Sequence, residues 1–353
     1  MKRNLTKIAG LCMALAATTA SAGTNIGYIY VGAKTDGGYN QAQDYARMYV
    51  QKHMSGVRTN YLENIPENAQ VSQAMERMIR GGDKIIFATS YGYLSYALEV
   101  AKKHPDVKFM HCAGAKTSKN LGTYYADMFQ AMYLSGMAAG KASKTGKIGF
   151  VGAHPIPTVL QDINAITLGA QSVNPNIKTY VVYTGSWNDP SKDVAAVNSL
   201  ADQGVDVVGM HVDSPIPVIQ AAKKRGIYVI GYHFDDHKFY PKGWLTGGAW
   251  NWGPMEVKVV KAVENGTWKS TPIYGDLRSG AVVMTKFGPA VTPSARSMIE
   301  AKQKEIMDGK FNVWTGPIYT QDGKELVPAG KVLPRPQVDA MNFLVKGVVG
   351  SKQ

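Results

Sequence analysis

Short apolar segments alternate with longer amphipathic segments along most of this chain. The first apolar segment covers residues 26–31, and Ala42, Ala46 and Val50 then recur at helical spacing within residues 40–54. Brief apolar runs bounded by glycine and polar loops are typical of buried strands, whereas a spacing of three to four residues is typical of helices. The pattern therefore predicts strand–helix units that repeat along the chain.

The strand candidates form two series with nearly the same spacing. The first series begins at Ile26, Val57, Ile85 and Val107, and the second begins at Ile148, Ile177, Val205 and Ile227. Each interval of about 22 to 31 residues holds one strand and one helix, and this alternation predicts a parallel sheet flanked by helices. The repetition predicts two such α/β lobes in tandem.

The loops that follow the strands are the expected ligand site. In open parallel sheets, ligands bind beyond the carboxyl ends of the strands. These loops cover residues 33–39, 64–69, 90–92 and 113–116 in the first series and 153–157, 184–189, 211–215 and 233–238 in the second. Two lobes that face each other through such loops form a cleft, and hinge closure of a cleft is a common way to bind a ligand.

Three aromatic residues fall in these loops and predict a planar ligand. Tyr39 ends the first loop, Tyr91 follows the third strand, and Trp187 lies in the Gly-Ser-Trp-Asn-Asp-Pro segment. A flat ligand can stack between two such rings. Each ring alternatively covers the core of its own lobe, but three aromatic residues in cleft loops favour the ligand interpretation.

Polar residues complete the predicted lining of the cleft. Asp36, Ser90, Asp213 and Asp235 all follow predicted strands. Asp235 is the preferred ligand acceptor, because an ionised carboxylate accepts hydrogen bonds strongly from N–H and O–H donors. Two alternatives stay open: Asp36 is also a turn residue, and Asp213 also suits the cap of the following helix.

Composition excludes several classes of protein. The chain has 353 residues, of which 45% are hydrophobic and 18% charged, and this balance excludes a disordered chain. Its two cysteines exclude a disulfide scaffold, and Cys112 is expected to be buried in a strand. The formal net charge is +13, but no long run of Lys and Arg marks a nucleic-acid interface, so no nucleic-acid partner is expected.

The first 22 residues have the pattern of a secretory signal peptide. Lys2, Arg3 and Lys7 precede a short apolar stretch, and small residues follow at Ala20 and Ala22. We therefore expect cleavage after Ala22 and export, in a bacterium to the periplasm. Three of the positive charges leave with this segment.

Enzyme motifs are scarce, with one exception. There is no G-x-S-x-G motif, and residues 136–142 lack the first Gly and the Ser/Thr of a phosphate-binding loop. The exception is His233-Phe-Asp235-Asp-His237, where a His-x-x-x-His spacing can bind a metal if it lies on one helix face. An exported metal-dependent enzyme that uses this cluster is therefore the alternative hypothesis, although no metal or cofactor is expected.

With these residues assembled, the chain resembles the basic membrane protein family of substrate-binding proteins, which serve ABC importers. The motifs that carry the resemblance are Asp36-Gly-Gly-Tyr-Asn40, Thr89-Ser-Tyr-Gly92, residues 124–140, Lys144-Thr-Gly-Lys-Ile-Gly149, Pro155-Ile-Pro157, Ser186-Trp187, Asp213-Ser-Pro215, Asn251-Trp-Gly-Pro254, Asn265-Gly-Thr-Trp268, Thr315-Gly-Pro-Ile318 and Asp322-Gly323. The set is ordered and spans nearly all of the chain after residue 22.

The resemblance implies a type I periplasmic-binding-protein fold, in which two Rossmann-like lobes with parallel sheets are joined by a hinge of several crossovers. It also implies a receptor that binds a purine base or nucleoside and delivers it to an inner-membrane ABC permease, without catalysis and as a monomer. The predicted lobes are residues 23–127 plus 247–290 and residues 128–246 plus 291–353.

The resemblance also implies roles for individual residues. Tyr39 and Trp187 are expected to stack on the ligand, Asp36, Ser90 and Asp213 to contact it, and Asp235 to be the main acidic contact. The predicted ligand-binding set is Asp36, Tyr39, Asn40, Ser90, Tyr91, Trp187, Asp213, Asp235 and Trp250. Trp250 is a departure, because nucleoside-binding members carry a ribose-contacting Lys there; its presence favours a free base such as adenine.

Overall fold

The computed structural model describes residues 23–351, so the predicted signal peptide lies outside the described residues. The strands are β1 (Asn25–Ile29), β2 (Arg58–Leu62), β3 (Ile85–Ala88), β4 (Lys108–Cys112), β5 (Leu121–Ala126), β6 (Lys147–Gly152), β7 (Lys178–Tyr183), β8 (Val207–His211), β9 (Tyr228–Gly231), β10 (Trp244–Trp250), β11 (Pro272–Gly275), β12 (Val282–Met284), β13 (Ile318–Tyr319), β14 (Glu325–Val327) and β15 (Val348–Val349). The helices are α1 (Tyr39–His53), α2 (Gln70–Arg80), α3 (Leu94–Lys103), α4 (Met128–Ala142), α5 (Pro157–Gln171), α6 (Pro190–Asp202), α7 (Ile216–Arg225), α8 (Gly253–Glu264), α9 (Pro293–Met307) and α10 (Arg335–Asp339).

Two sheets organise the described residues. The first has the strand order β11-β5-β4-β3-β1-β2, and all of its neighbouring strands are parallel. The second has the order β12-β10-β9-β8-β6-β7-β15 and is parallel except for β12, which runs antiparallel to β10. Strands β13 and β14 form a separate hairpin. The eight predicted strand starts are confirmed to within two residues.

The central strands are buried and mostly apolar because helices cover both faces of each sheet. Every residue of β3 and β8 is buried, which is typical of parallel sheets enclosed on two sides. Met128, Met132 and Met137 on α4 are buried in the core, as the sequence indicates. The glycine-rich residues 136–142 lie within α4, where a Cβ on Gly136 would come 2.2 Å from the Ile166 carbonyl oxygen on α5. These small residues serve close helix packing instead of phosphate binding.

The strand pairing differs from the predicted lobe borders at two places. Residues 247–250 complete β10 in the second sheet, because Gly247 pairs with Gly231 of β9. Residues 282–284 form β12, which pairs with β10 and therefore also belongs to the second sheet. Both segments fall within residues 247–290, which the sequence analysis assigned to the first lobe. Helix α8 and strand β11, by contrast, pack on α1 and β5 of the first lobe.

The chain passes between the lobes at the junctions β5–α4, β10–α8 and β11–β12. The strands that flank these crossovers are the edge strand and its neighbour in each sheet, β11 and β5 in the first and β12 and β10 in the second. After β12, helix α9 packs on α4, α10 packs on α5, and β15 pairs with β7. The chain from residue 282 onward therefore contacts elements of the second lobe.

Two further predictions concern single features. Cys112 is fully buried at the end of β4, as predicted. Within residues 23–351, no helix is long and apolar enough to cross a lipid bilayer.

Candidate ligand-binding site

A narrow cavity lies between the two lobes, at the carboxyl ends of the strands. The first lobe contributes Tyr39, Ser90, Tyr91, Ala113 and Tyr125, and the second contributes Ile156, Thr158, Trp187, His211 and Asp213. Five members of the predicted ligand-binding set therefore meet at one place: Tyr39, Ser90, Tyr91, Trp187 and Asp213. This position is the one that the topology of parallel sheets favours for ligands.

The cavity is small in this structure. Its volume of about 30 Å³ suits about two water molecules. A wider cavity of about 570 Å³ adjoins it and shares Ala113, Tyr125 and Thr158 with it. A planar ring system therefore requires the two walls of the narrow cavity to move apart, while the adjoining cavity has room for a substituent.

Tyr39 and Trp187 are held in the walls by hydrogen bonds at their polar ends. The Tyr39 hydroxyl donates to the Thr89 carbonyl oxygen at 2.6 Å. The Trp187 indole nitrogen donates to Glu67 Oε2 across the cleft at 3.3 Å. Both residues are partly buried, and both leave apolar ring surface on the cavity.

Glu67 organises the first-lobe side of the cavity. Its Oε1 atom accepts hydrogen bonds from the Ser90 hydroxyl at 2.6 Å and from the Gly92 amide at 2.7 Å. The same carboxylate reaches Trp187 in the second lobe. The Ser90 hydroxyl therefore already donates to Glu67, and a ligand that binds this hydroxyl would compete with Glu67 for it.

Asp213 is the buried acid of the cavity. Its exposed fraction is 5%, and its Oδ2 atom accepts a hydrogen bond from Asn40 Nδ2 at 3.3 Å. Burial raises the pKa of this carboxyl well above its usual range, and the nearby Asp36 raises it further. A ligand that donates an N–H bond to Asp213 would offset part of the cost of burying the carboxylate.

The backbone of Asp213 joins the two lobes. The Tyr39 amide donates to the Asp213 carbonyl oxygen at 2.9 Å, and the Asp213 amide donates to the Trp187 carbonyl oxygen at 2.8 Å. The Ser214 hydroxyl donates to the Asp36 carbonyl oxygen at 2.7 Å. The lobes are therefore in direct contact on this side of the cavity.

Asp36 and Asn40 lie behind the cavity wall and not on it. The Asp36 carboxylate accepts hydrogen bonds from the backbone amides of Gly38, Asn40 and Gln41 at 2.8–3.0 Å. These bonds satisfy amides of the first turn of α1, so the alternative interpretation of Asp36 as a turn residue describes its role here. Asn40 is fully buried and donates to both Asp36 and Asp213.

Asp235 and Trp250 lie apart from the five predicted residues that line the cavity. The backbone of His233 has a positive φ of 71°, and Asp235 beyond it contacts His237 and the Lys286 amide. The Trp250 ring stacks on Trp252 with a centroid distance of 4.4 Å. Contact of Asp235 and Trp250 with a ligand therefore stays a prediction.

The His233–His237 cluster does not form a metal site in this geometry. His233 Nε2 lies 2.9 Å from the Val212 carbonyl oxygen, so it donates, and Nδ1 accepts from the Trp250 indole at 2.7 Å. Burial lowers the pKa of His233 well below its usual value, which favours this neutral ring. No group of three or more His, Cys, Asp or Glu residues suited to a metal ion occurs among residues 23–351.

Several residues of the site were not singled out from the sequence. The predicted cleft loops contain Glu67, Ala113, Ile156 and His211. The sequence therefore predicts that these residues lie near the cleft, but it does not indicate what each of them does there. Tyr125 and Thr158 lie outside those loops, on β5 and in the first turn of α5. Their contribution depends on how the two lobes face each other.

Comparison with known proteins agrees with this architecture. A solved structure of an ABC transporter solute-binding protein from Aeropyrum pernix K1 superposes with a TM-score of 0.72 at 16% identity, covering 90% of this chain and 95% of the other. This likeness confirms the predicted type I periplasmic-binding-protein fold.

Closer relatives are similar over nearly the whole sequence. A purine-binding protein of Brucella abortus (strain 2308) is 40% identical over 324 residues, which is 92% of each chain. A putative ABC transporter glucose-binding protein of Haloferax volcanii is 30% identical over 327 residues, covering 92% of this chain and 80% of that protein. Residues 23–313 match the family described as ABC transporter substrate-binding protein, PnrA-like. The chain therefore belongs to this family of solute-binding receptors, which bind a small molecule for an ABC permease.

Proposed function

We propose that this protein binds a purine base such as adenine, or a purine nucleoside, in the cavity between its lobes. The observation that carries the proposal is the joint presence of Tyr39, Trp187 and Asp213 on that cavity. Aromatic rings stack on flat heterocycles, and a buried carboxyl pairs with the N–H groups at their edges. A purine combines a flat ring with such polar edges.

The Brucella abortus relative supports this choice of ligand class. It is named as a purine-binding protein and is 40% identical to this chain. The Haloferax volcanii relative, named as a putative glucose-binding protein, is more distant at 30% identity. Tyr125 and Tyr91 add further ring surface to the cavity wall, which favours a planar heterocycle.

Within the purines, the cavity favours a free base over a nucleoside. Trp250 is buried against Trp252 and offers its indole N–H to His233, so it supplies no donor to a ribose. The adjoining cavity has room for a sugar between Tyr274, Gln161 and Arg335. A nucleoside would therefore need the adjoining cavity for its sugar, whereas a base needs only the narrow cavity once its walls have moved apart.

Isothermal titration calorimetry with adenine, hypoxanthine, adenosine, guanosine and glucose tests the proposal. We expect at least one purine to bind with a one-to-one stoichiometry, with adenine tighter than adenosine and no heat from glucose. Saturable binding of glucose without binding of any purine would overturn the proposal. Mass spectrometry of molecules that copurify would then identify the ligand.

We also propose that the protein works as an exported monomer in the periplasm, where it delivers its ligand to an inner-membrane permease. The basic and apolar pattern of residues 1–22 supports export with cleavage after Ala22. Cell fractionation, amino-terminal sequencing of the exported protein and light scattering on a sizing column measure location, cleavage site and mass. A cytoplasmic protein that retains Met1, or a dimer, would contradict this part of the proposal.

A further inference from the structure

His211 is a buried residue of the cavity whose role no sequence pattern indicated. It ends strand β8, its exposed fraction is 6%, and it lines the cavity beside Asp213. Its ring centroid lies 6.1 Å from that of Trp187 and 4.5 Å from that of Tyr232. The imidazole is therefore placed among the rings that would surround a flat ligand.

Asp162 on α5 fixes the hydrogen bonding of this ring. Its Oδ2 atom lies 2.7 Å from His211 Nδ1 and 2.7 Å from the Tyr232 hydroxyl. Asp162 and Tyr232 are buried, with exposed fractions of 1% and 0%. A carboxyl oxygen accepts hydrogen bonds, so the Tyr232 O–H and an Nδ1–H of His211 are the donors that suit Asp162 Oδ2.

With Nδ1 donating to Asp162, Nε2 is the ring nitrogen left to accept a hydrogen bond. The Tyr232 oxygen lies 2.9 Å from Nδ1 and 3.3 Å from Nε2, but the Tyr232 hydroxyl donates to Asp162, so its proton is not available to Nε2. The two ring nitrogens point in different directions, so Nε2 faces away from Asp162. The lone pair on Nε2 therefore has no donor within the Asp162–Tyr232 pair.

The other buried histidines near the cleft differ from His211. His233 has both ring nitrogens in hydrogen bonds with Val212 and Trp250, and it does not line the cavity. His111, at the end of β4, is also buried and outside the cavity lining. Among the buried histidines of the described residues, His211 alone combines a fixed tautomer with a place on the cavity wall.

We propose that His211 is a specificity-determining residue that accepts a hydrogen bond from a ligand N–H through Nε2, with Asp162 and Tyr232 as positioning residues. The inference rests on the proposed function, because it assumes that a heterocycle binds in this cavity. It adds to that function by specifying that the edge of the ligand facing His211 donates a hydrogen bond.

The pair of acceptors defines the ligand chemistry. His211 Nε2 accepts a hydrogen bond, and Asp213 does so in its carboxylate form. Burial favours the protonated form of Asp213 in the empty cavity, and a ligand N–H favours the carboxylate. The ligand that suits both groups presents N–H donors to the second-lobe wall. Adenine has an amino group at position 6 and no proton on N1, whereas hypoxanthine has a carbonyl oxygen at position 6 and a proton on N1. With position 6 facing His211 Nε2, the protein prefers adenine to hypoxanthine, because an oxygen facing the Nε2 lone pair would be repelled.

Three variants of the full chain test the proposal by calorimetry with adenine and hypoxanthine. His211→Gln is expected to lower the affinity for adenine at least tenfold, because the loss of one buried hydrogen bond has an effect of about this size. Asp162→Asn places an amide N–H opposite Nδ1, which moves the ring proton to Nε2 and turns an acceptor into a donor. We therefore expect Asp162→Asn to lower the adenine-to-hypoxanthine preference about tenfold.

His104→Gln is the matched control, because it removes a half-buried His–carboxylate pair with Glu76 that lies outside the cavity. It is expected to bind adenine and hypoxanthine with the same affinities as the wild type.

A second measurement needs no variant: nitrogen-detected NMR of the ligand-free wild type reports the tautomer of His211. The proposal expects a proton on Nδ1 and none on Nε2.

The outcomes separate the two levels of inference. Wild type that binds no purine overturns the proposed function and this inference with it. If the wild type and His211→Gln bind adenine equally well, the proposed role of His211 is overturned, but the proposed function is not. A proton on Nε2 in the ligand-free protein, or an unchanged preference in Asp162→Asn, also overturns it.

Discussion

At the scale of single residues, the cavity wall combines broad rings with one buried acid. Tyr39 and Trp187 each donate a hydrogen bond from the polar end of the side chain, to the Thr89 carbonyl oxygen and to Glu67, and these bonds orient the two rings. Because the Trp187–Glu67 bond crosses the cleft, it must lengthen or break when the walls move apart for a planar ligand. We expect the buried Asp213 carboxyl to favour ligands with N–H donors.

Replacing Trp187 by Ala is expected to weaken purine binding strongly. Stacking of a base on an aromatic side chain contributes about 1–3 kcal/mol, so calorimetry should show a rise in Kd of about 5- to 150-fold. Trp268→Ala is the control, since that ring lies against Lys108 and Gly122 on the outside of the first lobe. Equal affinities in the two variants would show that Trp187 does not stack on the ligand.

Glu256 gives the folded state a pH dependence of its own. It is fully buried on α8, its Oε2 accepts from the Tyr28 hydroxyl at 2.9 Å, and burial raises its pKa to about 8. The native protein therefore keeps a proton that the unfolded chain loses above its ordinary carboxyl pKa. The stability that this proton contributes is present in acid and is lost as the pH rises towards 8.

Glu256→Gln should remove this dependence, because an amide does not titrate. Urea unfolding at pH 5, 6.5 and 8 is expected to show the variant gaining at least about 1 kcal/mol relative to wild type between pH 5 and pH 8. Glu300→Gln, at an exposed pair with Arg296, serves as the control and should follow the wild-type profile. Parallel profiles for wild type and Glu256→Gln would mean that Glu256 is ionised in the folded state.

At the scale of elements, the start of α1 in the first lobe is in close contact with the second lobe. A Cβ on Gly38 would lie 2.0 Å from the Asp213 carbonyl oxygen and 2.5 Å from Pro215 Cδ. The first turn of α1 thus meets the loop before α7 with no room for a side chain. Closure of the cleft depends on this glycine.

Gly38→Ala is therefore expected to hold the lobes apart. We expect at least a tenfold loss of purine affinity and a larger radius of gyration in X-ray scattering with ligand present. Gly56→Ala is the control: its φ of 75° strains the backbone, but no atom lies within 4 Å of the new Cβ. That variant should lose folding stability and keep its affinity; the same affinity loss in both would contradict the closure argument.

Sequence patterns predicted the elements better than the site. Apolar runs and helical spacing are local signals, so the strands β1 to β4 and β6 to β9 were placed within two residues. Asp235 follows a residue with a positive φ, His233, and Trp250 packs on Trp252; neither feature can be predicted from strand spacing, and both residues lie apart from the cavity lining. Glu67 and His211 gain their roles only through contacts with other elements, which no local pattern encodes.

At the scale of the whole molecule, an ion-pair cluster ties the carboxyl-terminal segment to the hinge. Arg335 on α10 binds both oxygens of Asp127, at the β5–α4 crossover, at 2.8 and 2.9 Å. Its guanidinium also lies 3.6 Å from the ring centroid of Tyr274 on β11 of the first lobe. Burial raises the pKa of Asp127 to about 6, although Arg335 acts to lower it.

Arg335→Gln is expected to destabilise the protein by about 1–2 kcal/mol at pH 8, because Asp127 is left ionised without its partner. The loss should shrink at pH 5, where Asp127 is protonated and needs no counter-charge. Urea unfolding at both pH values measures it. Arg296→Gln, which removes an exposed pair, should cost less than about 0.5 kcal/mol at either pH. An Arg335→Gln loss that is independent of pH would contradict the role of Asp127.

The two lobes, their contact at Gly38 and the cavity between them suit the proposed receptor, whose lobes close on a ligand. The central claim is that a purine ring occupies the space between Tyr39 and Trp187. A crystal structure of the protein with adenine tests it most directly. The account predicts electron density for the ring between these two side chains, with ligand nitrogens within hydrogen-bond distance of Asp213. Adenine bound elsewhere, or turned so that neither aromatic ring contacts its face, would contradict it.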